Sequence, residues 1–127
     1  MMRTEYRRLF RELSDALVVG GWSVDVRYRG ATAKVHGQCD FGEQRIVLKW
    51  RKGLSLVDKL FIFAHEFRHA FHHERGIRDA QYAAYLLGGV ERDKIEIDCD
   101  TFALQFLNDR GVDINEVSDD LLHEESV

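Results

Sequence analysis

The segment from Ser55 to Glu74 constrains the fold more than any other part of the chain. Its apolar residues recur at helical spacing and form one broad face, made of Leu60, Phe63, Ala64, Phe67 and Phe71. Ile62 lies elsewhere on the circumference, so this predicted helix must be buried through much of its girth. Ser55 followed by Asp58 is typical of a helix N-terminus, and a glycine ends the helix just after Glu74. The other elements are therefore expected to pack around it.

Hydrophobic periodicity also predicts the elements that precede this helix. Residues 4–19 carry apolar side chains at helical spacing and are followed by two glycines. Apolar and polar residues alternate over 22–29, 31–36 and 45–50, which indicates three strands. Because short spacers join these strands, we expect them to pair as an antiparallel meander.

Two further helices are predicted after the central one, over residues 79–87 and 92–108. The 127 residues then form a single domain of the α+β class. An N-terminal helix comes first, a three-stranded and mainly antiparallel sheet follows, and the later helices carry the functional residues. The core is expected to span about residues 4–110. The acidic tail, 112–127, either holds one more helical turn or is loose.

Composition and charge exclude several classes of protein. With 45% hydrophobic and 31% charged residues, the chain is typical of a folded globular protein. Its apolar runs are shorter than the roughly 18–20 residues of a membrane span, and its first residues are too polar for a secretory signal. Two cysteines, Cys39 and Cys99, are too few for a disulfide framework, so a cytoplasmic location is expected. The net charge of −4 disfavours a nonspecific nucleic-acid coat.

The chemistry of the chain is concentrated in the sequence His65-Glu66-Phe67-Arg68-His69, an H-E-x-x-H motif inside the central helix. Two histidines four residues apart lie about 40° from each other on a helix, so both imidazoles can reach one metal ion. Zinc is the metal that neutral imidazole favours. Glu66 lies about 100° further round the helix. That position suits a general base that acts beside the metal without binding it.

A catalytic zinc also needs a third protein ligand, and Glu96 is the candidate. Asp100 shares the helical face of Glu96, so it can accept a hydrogen bond from the second nitrogen of a ligating histidine. Asp98 points about 200° away from Glu96 and is expected to lie at the surface or against another helix. Arg68, if buried, needs a carboxylate partner, for which the downstream acids are candidates, and otherwise it points to solvent.

With these residues in place, the chain resembles a known family. His65-Glu66-x-x-His69 followed by Glu96-x-x-x-Asp100-x-Phe102-Ala103 is similar to the gluzincin metallopeptidases, and among them to the small ImmA/IrrE-like and SprT-like proteins of bacteria and phages. The resemblance covers roughly residues 20–108, although only the two short motifs are specific.

The resemblance implies a zinc peptidase with defined residue roles. His65, His69 and Glu96 would bind one zinc ion, and Glu66 would be the base that activates the zinc-bound water. Proteins or peptides would be the substrates. ImmA-like members act on transcriptional repressors and SprT-like members on DNA-bound proteins, so a transcriptional regulator or a DNA-bound protein is the expected partner.

Several residues leave alternatives open at this stage. His69 and His73 are also four apart, but this pair lacks a glutamate placed as a base. Cys99 could bind or block the metal, although its place on an apolar stripe favours a buried, inert thiol. Tyr82 and Tyr85 are the nearest candidates for stabilising the charge that develops on the substrate carbonyl.

Three functions follow from these observations. The first is a zinc-dependent endopeptidase that works through Glu66. The second is a zinc-binding regulatory or partner-binding module with little or no activity, which a closed site with four protein ligands would favour. The third is nucleic-acid binding through the basic clusters Arg3–Arg11 and Arg45–Lys52, which the acidic net charge disfavours as the main role.

Overall fold

The computed structural model describes residues 1–28, 36–74 and 90–123. Within these residues the elements are, in chain order, α1 (Arg3–Val19), β1 (Ser23–Tyr28), β2 (Gly37–Asp40), β3 (Arg45–Trp50), α2 (Leu56–Glu74) and α3 (Val90–Asp109). Two 3₁₀ helices follow, Ile114–Glu116 and Asp119–Leu121. The α+β class with a helix first is confirmed. The predicted helix over 79–87 and nearly all of the predicted strand over 31–36 lie outside the described residues.

The order of the strands differs from the expected meander. β3 lies in the centre of the sheet, in the order β1-β3-β2. β2 pairs with β3 antiparallel, with Gly37 opposite Leu48, whereas β1 pairs with β3 in parallel, with Ser23 opposite Arg45. The described sheet is therefore mixed and not an antiparallel meander, and its second strand, β2, begins after the segment 31–36 that the sequence predicts.

The burial of β3 explains this order. Ile46, Leu48 and Trp50 on one face are buried, and Val47 on the opposite face is buried as well. A strand that is apolar on both faces is favoured in the middle of a sheet, where a neighbouring strand on each side helps to shield its side chains from water. The four-residue turn between β2 and β3 requires an antiparallel hairpin, but the longer connection from β1 leaves that strand free to pair elsewhere.

Helix α2 is the centre of the molecule, as its sequence predicts. It packs against α1, α3, β2 and β3. Phe61, Ile62 and Phe63 are consecutive and all buried, so the helix is covered around its circumference. At its start, the main-chain N–H of Asp58 donates to Ser55 Oγ at 3.0 Å, as expected for the predicted N-cap.

Helix α1 covers one side of α2 with the stripe Leu9, Leu13 and Leu17, which is fully or almost fully buried. The ring of Phe10 packs against that of Phe63, with centroids 4.6 Å apart. The arginines of the opposite side, Arg3, Arg7, Arg8 and Arg11, are exposed, as expected for a solvated face.

The C-terminal segment is part of the core, contrary to the expected limit near residue 110. Val112, Val117 and Leu121 are buried in the same cluster as the sheet and helices. Asp58 holds this segment against α2, because its two carboxylate oxygens accept from the N–H and the hydroxyl of Ser118 at 2.9 and 2.8 Å. The segment up to residue 123 is therefore part of the folded domain.

Among the described residues, every helix is too short or too polar to cross a membrane.

Candidate metal centre

Helix α2 buries the three ionisable residues of the H-E-x-x-H motif, with His65 and His69 in contact with α3. His65, Glu66 and His69 are each less than 9% exposed. The two imidazole rings lie one helical turn apart, with centroids separated by 5.0 Å. Burial of three ionisable groups in one turn is costly unless each of them has a partner. The two histidines find carboxylate partners on α3.

Glu96 of α3 contacts both histidines of the motif. Its Oε2 lies 2.8 Å from His65 Nε2, and its Oε1 lies 3.2 Å from His69 Nε2. One carboxylate therefore faces the same nitrogen atom on both rings. The structure thus brings together the three side chains that the sequence predicts as metal ligands.

Asp100 lies one turn after Glu96 and contacts the other side of the first ring. Its Oδ1 is 2.7 Å from His65 Nδ1. An Nδ1–H that donates to Asp100 leaves the lone pair on Nε2, which is the tautomer that can bind a metal. This contact is the one that the spacing of Glu96 and Asp100 predicts.

His123 is a fourth residue of this cluster, and the sequence analysis did not find it. Its Nε2 lies 3.5 Å from Glu96 Oε2, and its Nδ1 lies 3.0 Å from Asp100 Oδ2. The main-chain N–H of His123 also donates to Asp100 Oδ2 at 2.6 Å. Its imidazole stacks on that of His65, with centroids 5.2 Å apart. The sequence signal that could have pointed to His123 is the four-residue spacing of Val117 and Leu121, which indicates that the C-terminal tail packs against the core.

The charged groups of this cluster shift one another's pKa values. Burial lowers the pKa of His65, but hydrogen bonds to Asp100 and Glu96 outweigh this effect and raise it to about 10. Burial favours the neutral form of Glu96, yet its contacts with His65 and His69 hold the pKa of this carboxyl below its usual range. A proton on His65 offsets part of the negative charge of the two carboxylates beside it. A dication would take over that role and displace that proton.

The contacts within this cluster are as short as the separations between neighbouring ligands of a bound zinc ion. Zinc bonds of about 2.0–2.1 Å place the ligand atoms of a tetrahedral site about 3.3 Å apart. Glu96 Oε2 lies 2.8 Å from His65 Nε2 and 3.5 Å from His123 Nε2, and Glu96 Oε1 lies 3.2 Å from His69 Nε2. Two nitrogens and one carboxylate are also a donor set that zinc accepts in catalytic sites.

Cys99 provides a competing donor. It is fully buried, and its Sγ lies within 4.8 Å of ligand atoms of His65 and His69. Burial raises the pKa of the Cys99 thiol, and the carboxylates of Glu96 and Glu66 raise it further, which opposes the thiolate that a metal requires. Both cysteines of the chain, Cys39 included, are free thiols.

Glu66 lies on the side of α2 that faces β2. A Cβ atom added to Gly37 would lie 2.9 Å from Glu66 Cγ and 3.2 Å from Ile62 Cγ2. The absence of a side chain at Gly37 therefore makes room for the glutamate. Burial raises the pKa of Glu66 above its ordinary value, and the neighbouring histidines His69 and His65 reduce that shift.

Arg68 has the carboxylate partner that the sequence predicts. Its Nε donates to Asp98 Oδ2 at 3.0 Å, and its guanidinium lies 5.5 Å from the centre of the Phe102 ring. The pair joins α2 to α3 on the side of the helix away from Glu96. It therefore adds a polar contact between the two helices that supply the predicted ligands.

The remaining predicted site residues are not described. Tyr82 and Tyr85 lie outside the described residues, and so does the side chain of His73. The stabilisation of the substrate carbonyl by either tyrosine and the shifted metal pair of His69 with His73 therefore stay predictions.

Comparisons with protein-family models, with curated proteins and with solved structures found no match to this chain.

Proposed function

We propose that the chain is a zinc-dependent metalloendopeptidase of the gluzincin type, with His65, His69 and Glu96 as the metal ligands and Glu66 as the general base. One observation carries the proposal. A single carboxylate, Glu96, contacts the Nε2 atoms of both motif histidines, and a buried glutamate follows the first of them. The resemblance of the two motifs to the gluzincins supports the same assignment.

Each residue then has a distinct task in peptide hydrolysis. A bound zinc ion supplies a Lewis acid that lowers the pKa of coordinated water toward about 7. Glu66 accepts a proton from the attacking water and passes it to the leaving amine. Burial raises the pKa of Glu66 above its ordinary value, and an upward shift is the direction that suits a carboxylate acting as a general base. Asp100 keeps the His65 ring oriented.

Strand β2 gives the proposed substrate a place to bind. In the described part of the chain, β2 pairs with β3 on one side only, so its other edge has unpaired main-chain groups. Gly37 lies at the start of this strand and against Glu66. An extended peptide that adds to the edge of β2 would therefore bring its backbone close to the base. Main-chain pairing suits a protein or peptide substrate, including a transcriptional regulator or a DNA-bound protein.

A second candidate function is a zinc-binding regulatory module with little or no activity. The observation that favours it is the presence of His123 beside the three predicted ligands. A fourth protein ligand is typical of structural zinc sites, in which no position is left for water. The two functions share the same metal and differ in whether Glu66 performs chemistry.

Metal content tests the ligand assignment that both functions share. We expect about one zinc per wild-type chain and much less in the His65→Ala and Glu96→Ala variants, because loss of a directly bound ligand should cost at least the roughly 10- to 100-fold in affinity that losing an outer partner costs. Cys99→Ala is the matched control, since it removes the competing donor and should leave the zinc in place. Elemental mass spectrometry of the purified chains measures the zinc bound per chain. Zinc lost in Cys99→Ala but kept in Glu96→Ala would replace the proposed ligand set with the cysteine-containing one.

The Gly37→Ala variant tests the role of Glu66 without changing a proposed metal ligand. The added methyl group would lie 2.9 Å from Glu66 Cγ, so the buried glutamate has to move. Zinc content should be unchanged, because Gly37 contacts no proposed ligand in the described structure, whereas hydrolysis of labelled casein should fall at least about tenfold. Gly42→Ala is the control, since its added Cβ meets its nearest neighbour only at 3.6 Å. Equal hydrolysis rates in the two variants would contradict the placement of Glu66.

A further inference from the structure

His123 lies close enough to the proposed metal ligands to be a ligand itself. Its Nε2 faces Glu96 Oε2, the same oxygen that His65 Nε2 contacts. Ligand atoms of His65, Glu96 and His123 all lie within 4.8 Å of one another. The third imidazole therefore lies close enough to His65 and Glu96 to share a metal ion with them.

Asp100 orients two imidazoles at once. Its Oδ1 contacts the Nδ1 of His65 at 2.7 Å, and its Oδ2 contacts the Nδ1 of His123 at 3.0 Å. A histidine whose Nδ1–H donates to a carboxylate has its Nε2 lone pair free for a metal. The same carboxylate thus prepares both rings for coordination, and both Nε2 atoms point toward Glu96.

Several contacts hold the segment that carries His123. Leu121 is buried in the core, and Ser118 donates twice to the carboxylate of Asp58. Arg51 forms an ion pair of 3.2 Å with Asp120. The His123 side chain itself is 45% exposed, so it lies at the open side of the cluster, whereas His65 and His69 are buried. A ligand at the open side is the one that an incoming molecule would have to displace.

We infer that His123 is a fourth metal ligand, which closes the metal site against outside ligands until the segment that carries it moves away. This inference rests on the proposed metal site of His65, His69 and Glu96 and adds a means of regulating it. With His123 bound, the metal has four protein ligands, as in structural sites. With His123 displaced, three remain and one position opens, as in catalytic sites.

Cobalt(II) substitution tests the inference without depending on hydrolysis. We expect the wild-type chain to show the intense visible absorption of four-coordinate cobalt and to bind added acetohydroxamate poorly. His123→Ala and His123→Gln should show weaker, shifted bands and bind acetohydroxamate at least about tenfold more tightly. Their affinity for zinc, measured against a competing chelator, should fall by at least the roughly 10- to 100-fold that is typical of losing an outer partner of a metal site.

A control variant and the wild-type chain distinguish a failure of the fourth-ligand inference from a failure of the proposed metal site. Asn115→Ala changes an exposed, neutral residue of the same C-terminal segment and should match the wild type in every measurement. Cobalt bound equally, with the same spectrum and the same acetohydroxamate affinity in wild type and both His123 variants, would overturn the inference and leave the three-ligand site intact. Absence of cobalt uptake by the wild-type chain would overturn the metal site and this inference with it.

Discussion

Replacing Glu66 with glutamine is expected to lower the rate of peptide hydrolysis by about 10²- to 10⁴-fold, the range that one general base contributes. Glutamine has nearly the same shape as glutamate but cannot accept the proton of the attacking water. Zinc content should remain that of the wild type, because the proposed ligands are His65, His69 and Glu96. Hydrolysis of fluorescently labelled casein and elemental mass spectrometry, performed on the same preparations, measure both quantities.

The assay for Glu66 should be run both in the wild-type chain and in the His123→Ala background, where the proposed fourth ligand is absent. Glu43→Gln makes the same chemical change at an exposed position in the turn between β2 and β3, and its rate should match that of its parent. If Glu66→Gln kept the parental rate in both backgrounds, Glu66 would not be the base. Zinc-loaded chains that cleave no casein in either background, with Glu66 intact, would favour the regulatory module.

Replacing Phe63 with alanine is expected to give the largest loss of stability, about 3–5 kcal/mol. Phe63 is fully buried in α2 and packs on Phe10 of α1, so its removal leaves a cavity between the two helices. A domain of this size has about 5–15 kcal/mol of total stability, so the loss is a large share of it. Urea denaturation followed by circular dichroism measures the change in the free energy of unfolding.

A second phenylalanine provides the comparison for Phe63. Phe41 lies in the turn between β2 and β3 and is only partly buried, with its ring edge-on to that of Trp22 at 6.0 Å. Phe41→Ala should therefore cost clearly less than Phe63→Ala, because less apolar surface is removed from the interior. Equal losses in the two variants would show that α2 is not the centre of the core.

Much of the helical structure could be predicted because its signals are local. The apolar stripe Leu9, Leu13 and Leu17 repeats every four residues and is buried as a unit. The hydroxyl of Ser55 accepts the N–H of Asp58, three residues later, as the cap pattern predicts. In both cases the interacting residues lie within one or two turns, so their spacing fixes their geometry.

The contacts between α2 and α3 were predictable for a related reason. Given that the two helices face each other, the four-residue spacings of His65 with His69 and of Glu96 with Asp100 place all four side chains between them. The helical period therefore determined which residues could meet. It did not determine what they bind, and the metal and the chemistry remain proposals.

The sequence by itself determined the α+β class, the helices α1, α2 and α3 and the residues that share each helical face, because these depend on short-range spacing. Only the tertiary structure decided that β3 lies between β1 and β2, since strand order depends on which strands become neighbours when the elements pack. It also decided that the tail returns to the cluster and places His123 against Asp100, 23 residues away. Contacts between distant residues depend on how whole elements pack, and local spacing carries no record of that packing.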